Sequence, residues 1–477
     1  MSHGVYESSI VELTNHPFFR REFSSLFIAI KNYYCKRDET EDNRIILRES
    51  ARKGIFTYLA KIYSEGKERN VYALDTTNRS KKNSKKAMDK KYVRGQNNKF
   101  SEPGYEYSSL CNLQGEGWAL PVSIKRVKSY EDKYDVGKTQ ILDVHLNSDK
   151  DSMTIAVADA AYSNTNFLSS LHKKSDIITI TRERRNRRIF REFDGKQKDK
   201  GAKRFYGDKY NLSKDSAELA ANNITSFKEV TKKGNKRKVI ISEYRNYLVI
   251  GKKNHTMKNK LMNFIKVEVY NLDETKVYKN DLWLCVSGKK RGSLSAKEVY
   301  ELYKARFDIE HFFKFEKSKL RMDKFQTINL DKEEDFLMFV MLAYHFLYQI
   351  KDTPKQEISS KWYPKKDVDN PITPAAAYRS APTINSNFTN ITNLAIKRGI
   401  PDKKNIRRNF KCHDNSKVIK KGVKSSNLDI SIKLLLCKKP IFSKTAVNIN
   451  LKNQSANKDE VISKFLKMLD KNGIKLE

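Results

Sequence analysis

Two short apolar runs, each closed by an acid, restrict this chain more than any other feature. Val71-Tyr-Ala-Leu-Asp75 and Met153-Thr-Ile-Ala-Val-Ala-Asp159 have the length and composition of buried strands. A carboxylate ending a buried strand is costly unless a metal or a cation answers it. Two such strands in one open α/β sheet bring Asp75 and Asp159 to the same edge, where sheets of this kind place their sites. Ile177–Thr181 is a third apolar strand, and Tyr105–Leu113 and Trp118–Arg126 are two more. Helical segments fall around Thr139–Leu146 and from Asn164.

A third acid sits on a helix. Tyr303, Arg306, Glu310 and Lys317 project within roughly 60° of one another on a single continuous helix. Ser295 and Glu298 form a capping box at its start, with Leu294 and Val299 as a hydrophobic staple. Leu302, Ile309, Phe313 and Leu320 make a second, apolar stripe able to bury against a sheet. Taken alone, the polar stripe has two readings. Either Glu310 pairs with Arg306 and Lys314 on a solvated face, or the stripe lines a cleft that handles a phosphodiester. Asp75, Asp159 and Glu310 together suit two divalent metals about 4 Å apart. Carboxylate oxygens favour Mg²⁺ or Mn²⁺ over zinc, and Arg306 and Lys317 are the groups to hold phosphates.

Charge supports the second reading. Lys and Arg number 95 against 57 Asp and Glu, a net +38 over 477 residues. Nucleic acid is the default partner for such an excess. A small ribosomal or nucleoid protein is equally basic but seldom needs this length, with 38% hydrophobic residues and room for two to four domains. The five cysteines show no metal-ligand or pairing pattern, which fits a reducing compartment. No signal peptide is visible, and the apolar run Phe336–Ile350 is too short to span a bilayer. Gly137-Lys138-Thr139 resembles the end of a phosphate-binding loop, but Asp132 stands where its upstream glycine belongs, so no nucleotide cofactor is expected.

The chain divides into five parts. Residues 1–68 are helical, with periodic runs near Phe18–Cys35 and Arg44–Tyr63, and form either a DNA-end-binding domain or a helical cap. Residues 69–181 are the first part of the α/β core. A Lys-rich loop from Arg79 to about Phe100 follows Asp75, and is either solvated or phosphate-holding. Residues 182–292 are a β-rich insertion that opens with Arg182 and a cluster of further arginines. Its β-like runs are Lys238–Ile241, Tyr247–Gly251, Phe264–Tyr270 and Leu282–Ser287. Residues 293–352 return to the core with the Glu310 helix. Residues 353–477 are a basic C-terminal region for DNA binding or dimerisation, with a Lys-rich stretch at Lys397–Lys424 and a last amphipathic helix at about Asp459–Asp470.

Tyr303-x2-Arg306-x3-Glu310-x6-Lys317 resembles the Tyr-Arg-Glu-Lys signature of bacterial insertion-sequence DDE transposases, the group that includes transposon-five transposase. Asp75-Thr-Thr resembles that family's first acid motif and Asp159-Ala-Ala-Tyr162 its second. The resemblance covers roughly residues 70–325. It implies an RNase H-like core, a mixed sheet with flanking helices, interrupted by the insertion. It implies two Mg²⁺ (or Mn²⁺) ions on Asp75, Asp159 and Glu310, cleavage at transposon ends, and transfer of the freed 3′-hydroxyl into target DNA. It further implies DNA contacts by Tyr303, Arg306, Lys317 and Arg182, and stacking of Trp283 on a flipped base. For Trp283 a place in a β core is the competing reading, and for Arg182 a solvated arginine cluster. The expected partners are double-stranded DNA and a second copy of the chain, in a bacterial cytoplasm at the nucleoid. A structure-selective nuclease of the same fold and a catalytically silent DNA-binding protein are the alternatives.

Overall fold

The computed structural model describes residues 40–349 apart from 85, 95–100, 175, 215–217, 232–233, 253–255 and 326, together with 351 and 372–378. The expected helical run at Phe18–Cys35, the stretch Lys397–Lys424 and the helix at Asp459–Asp470 lie outside these residues. In chain order the elements are α1 (Glu41–Ser64), β1 (Arg69–Ser80), β2 (Lys91–Arg94), β3 (Ser101–Gly115), β4 (Trp118–Val127), α2 (Lys133–Asn147), β5 (Met153–Ala158), α3 (Thr165–Leu171) and β6 (Ile177–Arg182). Then come β7 (Arg188–Glu192), β8 (Tyr206–Asn211), β9 (Asn223–Val230), β10 (Lys236–Tyr247), β11 (Met262–Asn271) and β12 (Leu282–Ser287). Helices α4 (Ala296–Ala305), α5 (Asp308–Ser318) and α6 (Leu330–Gln349) follow.

Ten strands make one mixed sheet in the order β2-β3-β1-β5-β6-β12-β11-β10-β9, with β4 also paired to β3. The β1–β5 and β5–β6 pairs are parallel and the rest antiparallel. A mixed sheet with helices on its faces fits an RNase H-like core. Four strands contributed by residues 182–292 extend this same sheet, β12 pairing with β6 and β11, β10 and β9 following outward, while β7 and β8 pair with each other in a separate two-stranded sheet. Of the β-like runs in that stretch, Tyr247–Gly251 is not a strand of its own. Tyr247 ends β10, and Leu248 makes only an isolated bridge to Phe190.

Side chains alternate across the central strands and so feed two cores. Met153, Ile155 and Val157 of β5 join Ile178 and Ile180 of β6 beneath Ala296, Val299 and Tyr300 of α4. On the other face Ala156 and Ala158 join Leu59 of α1, Ile141 of α2, Phe167 of α3, Phe312 of α5 and Tyr344 of α6. The apolar run from Phe336 is helix as far as Gln349, with Phe336, Val340, Met341, Tyr344 and Leu347 in the core, and among the described residues no helix is long and apolar enough to cross a membrane.

The helix around Glu310 differs from expectation. The capping box at Ser295 and Glu298 forms, and Leu294 and Val299 share one core. The single continuous helix does not: it breaks at Arg306–Phe307 into α4 and α5. Across the break the amide acceptors tighten from four residues back to three, with Phe307 N–H donating to Lys304 O, Ile309 N–H to Arg306 O and Glu310 N–H to Phe307 O. Such a 3₁₀ stretch turns a helix without stopping it. The cause is packing. Leu302 belongs to the core under α4, whereas Ile309, Phe313 and Leu320 belong to the core on the opposite face. One straight helix cannot serve both, so the chain bends where it passes the sheet edge.

Candidate active site

Parallel register sets the first two acids. Leu74 of β1 is level with Ala158 of β5, so Asp75 and Asp159 are the next residues on neighbouring strands. Asp159 closes β5 as expected, but Asp75 does not close β1, which runs on to Ser80 through its pairing with β3. What ends at Leu74 is the parallel half of the pairing, and that opens the edge for the carboxylate. Asp159 caps the 3₁₀ turn Ala160–Ser163, its Oδ1 accepting from Ala161 N–H at 2.9 Å. Asp75 Oδ1 accepts from Thr76 N–H at 2.7 Å.

The helix break delivers the third acid. Arg306, at the bend, donates from Nη1 to Asp75 Oδ2 at 3.0 Å and from Nη2 to Glu310 Oε1 at 3.0 Å. One guanidinium thus ties two acids that lie 235 residues apart in sequence, the partner separations being 231 and 4 residues. Arg306 also lies over the Tyr303 ring, 5.6 Å from its centroid. Burial and then the charge of Asp159 push Asp75 up to about 6, against the opposing pull of Arg306. Burial likewise raises the Tyr303 hydroxyl, while the positive charges of Arg306 and Arg182 lower it. Asp75, Asp159, Glu310, Tyr303, Arg306 and Arg182 thus share one electrostatic neighbourhood.

Two expected DNA-contacting residues sit differently. Lys317 Nζ donates to the carbonyl of Asn78 at 2.9 Å, three residues along β1 from Asp75. Trp283, in β12, is 2% exposed and packs on Tyr244 with ring centroids 5.5 Å apart, so in this arrangement it offers no face to a base. The Lys-rich loop also departs from a phosphate-holding role in part. Arg79 and Lys81 are buried on Glu333 of α6, at 2.9 and 2.7 Å, and Lys91 is buried on Glu106 at 2.5 Å. These cations neutralise internal acids instead of facing solvent.

The sequence reading passed over the backbone groups that hold the acids, Thr76 N–H and Ala161 N–H. Asp followed by Ala-Ala was a legible cap signal for the second. It also passed over Glu183. This carboxyl lies just past β6, 3% exposed, with Arg187 3.8 Å away.

A family model described as Transposase DDE domain matches residues 66–346, more than half of the chain. The chain belongs to the DDE transposase family. The match begins just before β1 and ends within α6, so it takes in all three acids and every strand of the sheet. No curated protein matches the chain. Membership of a DDE transposase family makes DNA the substrate and divalent metal the usual requirement. The donors at this edge are hard carboxylate oxygens, and burial first, then the charge of Asp159, raises Asp75, so a cation there would favour its charged form. That chemistry fits a divalent cation. Among the described residues no three His, Cys, Asp or Glu side chains are already grouped to hold an ion. Asp75 and Glu310 share Arg306 instead.

Proposed function

We propose that this DDE transposase cuts DNA at transposon ends and joins the freed 3′-hydroxyl to a target duplex, with Asp75, Asp159 and Glu310 as its metal ligands. The reading is supported by strand register, which makes Asp75 and Asp159 neighbours on β1 and β5, and by Arg306, whose guanidinium bridges Asp75 and Glu310. Mg²⁺ or Mn²⁺, two ions per site, would lower the pKa of a bound water or hydroxyl and stabilise the departing oxygen. The chain's own part is positional. For both acids to face a cation, Arg306 has to leave the space between them, and a DNA phosphate is the anion to receive its guanidinium. Tyr303, stacked beside Arg306, keeps that side chain at the edge, and Arg182 adds a second cation there. Lys317, on the same helix as Glu310, reaches the backbone of the strand bearing Asp75 and holds the two in register. The Tyr-Arg-Glu-Lys spacing supports placement in the transposon-five group, and two-ended cutting calls for a dimer on DNA.

Asp75→Ala, Asp159→Ala and Glu310→Ala should each abolish Mg²⁺-dependent nicking of duplex DNA while DNA binding persists. Nicking retained by any one variant removes that residue from the site. A strand-transfer assay separates a transposase from a nuclease of the same fold, which would hydrolyse but never join.

A further inference from the structure

The last strand of the large sheet is unprotected on its outer side. Among the described residues β9 pairs with β10 alone, and its eight residues, Asn223–Val230, keep one register against residues 236–243 without a bulge. Natural sheets commonly blunt such edges with very short strands, prolines or bulges. The sequence Asn-Ile-Thr-Ser-Phe-Lys-Glu-Val shows none of the three.

The hairpin to β10 fixes which backbone groups point outward. Thr231 N–H donates to Asn235 O at 2.9 Å, so by the alternation of an antiparallel ladder the odd-numbered residues of β9 bond to β10. Ile224, Ser226, Lys228 and Val230 therefore turn their N–H and C=O groups away from the sheet. Their side chains share one face, on which Ile224 is 65% and Val230 66% exposed. The other face is covered by α4. Phe227 packs near Tyr300 with Lys297 over its ring, and Glu229 pairs with Lys304 at 2.6 Å.

This edge is complementary to a copy of itself. An antiparallel β9 pair with its two-fold axis at Phe227 sets Ile224 opposite Val230, Thr225 opposite Glu229, Ser226 opposite Lys228 and Phe227 opposite itself. Every outward N–H and C=O of both strands is then bonded, the exposed apolar side chains meet one another, and no like charges face. Sliding one copy by two residues loses this. An axis at Lys228 sets two lysines opposite each other, and an axis at Ser226 sets Lys228 opposite Ile224 and leaves Val230 beyond the pairing.

We propose that β9 is the docking edge for a second copy of this chain, the two sheets joining strand to strand into one. The pairing is isologous, so it closes at two subunits and uses up the open edge. It forms without DNA, unlike the dimer that two-ended cutting calls for. It also lies away from the acids, since β5 and β9 are five strand spacings of about 4.8 Å apart, roughly 24 Å. The inference therefore rests neither on the metal ligands nor on cleavage.

The test is the mass of the full chain, free of DNA, across a concentration series in the analytical ultracentrifuge. The parent should reach twice the 55.6 kDa of one chain. Ser226→Pro removes an outward N–H, leaves the ladder to β10 intact and should return the mass to that of one chain, with Mg²⁺-dependent nicking retained. Register is read separately. Residues opposite each other in a non-hydrogen-bonded pair have Cα atoms about 4.5 Å apart, within disulfide range. With oxidised glutathione as electron acceptor, Phe227→Cys should therefore link to its own copy, whereas Ser226→Cys, opposite Lys228, should not; peptide mass spectrometry identifies the linked pair. A parent that stays at the single-chain mass, a Ser226→Pro chain that still dimerises, or equal crosslinking by the two cysteine variants overturns the proposal. If Ser226→Pro fails to fold, Ile224→Lys takes its place with the same expected loss, setting a charge against Val230 on a face already open to water. Absent nicking by the parent, with the dimer intact, would sink the catalytic reading and leave this contact standing.

Discussion

Glu183 shows how a single residue can work against the fold that holds it. Burial raises its carboxyl from an ordinary 4.5 to about 7, and Arg187 is too distant to reverse that. A raised carboxyl contributes stability while it is protonated, fully below about pH 4.5, and loses that contribution as pH climbs through 7. Glu183→Gln should therefore be more stable than the parent at pH 8, on the order of 3 kcal/mol, and no more stable at pH 4. Paired denaturant titrations at the two pH values check this. A parent-like variant at pH 8 would mean that the carboxylate finds a partner in solution. The acids themselves were legible in sequence because a charged residue closing an apolar run is chemically conspicuous. Glu183 was not, since it stands among arginines at 182, 184, 185 and 187 and looks like one charge in a solvated cluster.

Elements were legible where their pattern is local. β5 and β6 follow their apolar runs, and α4 begins at the capping box that the sequence announces. The bend at Arg306 was hidden because Leu302 and Ile309 keep helical phase on either side of it. Only the opposite placement of the two cores reveals that they serve different faces. The Lys-rich segment was misleading for another reason: the acid that buries Arg79 lies 254 residues away. Glu333 accepts from Arg79 at 2.9 Å and from the Tyr107 hydroxyl at 2.6 Å, and pairs with Lys81 at 2.7 Å. This cluster clamps α6 to β1 and β3. Glu333→Gln strands two buried cations and should cost about 3–5 kcal/mol, read as a lower denaturation midpoint. A cost under about 1 kcal/mol, the worth of an exposed pair, would show that water reaches the cluster.

At the scale of the molecule, the sheet does not stop where the sequence changes character. Residues 182–292 look like an insertion in composition, yet β12 hydrogen-bonds to β6 from Leu284–Arg182 to Ser287–Thr179, and three more strands follow. Excision of 183–281 would strip β12 of its outer partner and expose a bare strand edge of the kind that pairs with other chains. Sedimentation of such a chain should show aggregate, whereas a detachable module would leave a well-behaved remainder. The composition shift was readable; the continuity was not, because pairing between β6 and β12 is a long-range contact with no local trace.

The ladder between β1 and β5 has a further effect on how this protein can change. Its rungs set the spacing of the two aspartates by peptide geometry, so side-chain repacking nearby cannot retune it. Sliding either strand by a single residue would turn its acid toward the opposite side of the sheet. Insertions and deletions in these two segments should therefore be tolerated all or none, with no partly working intermediates for selection to improve.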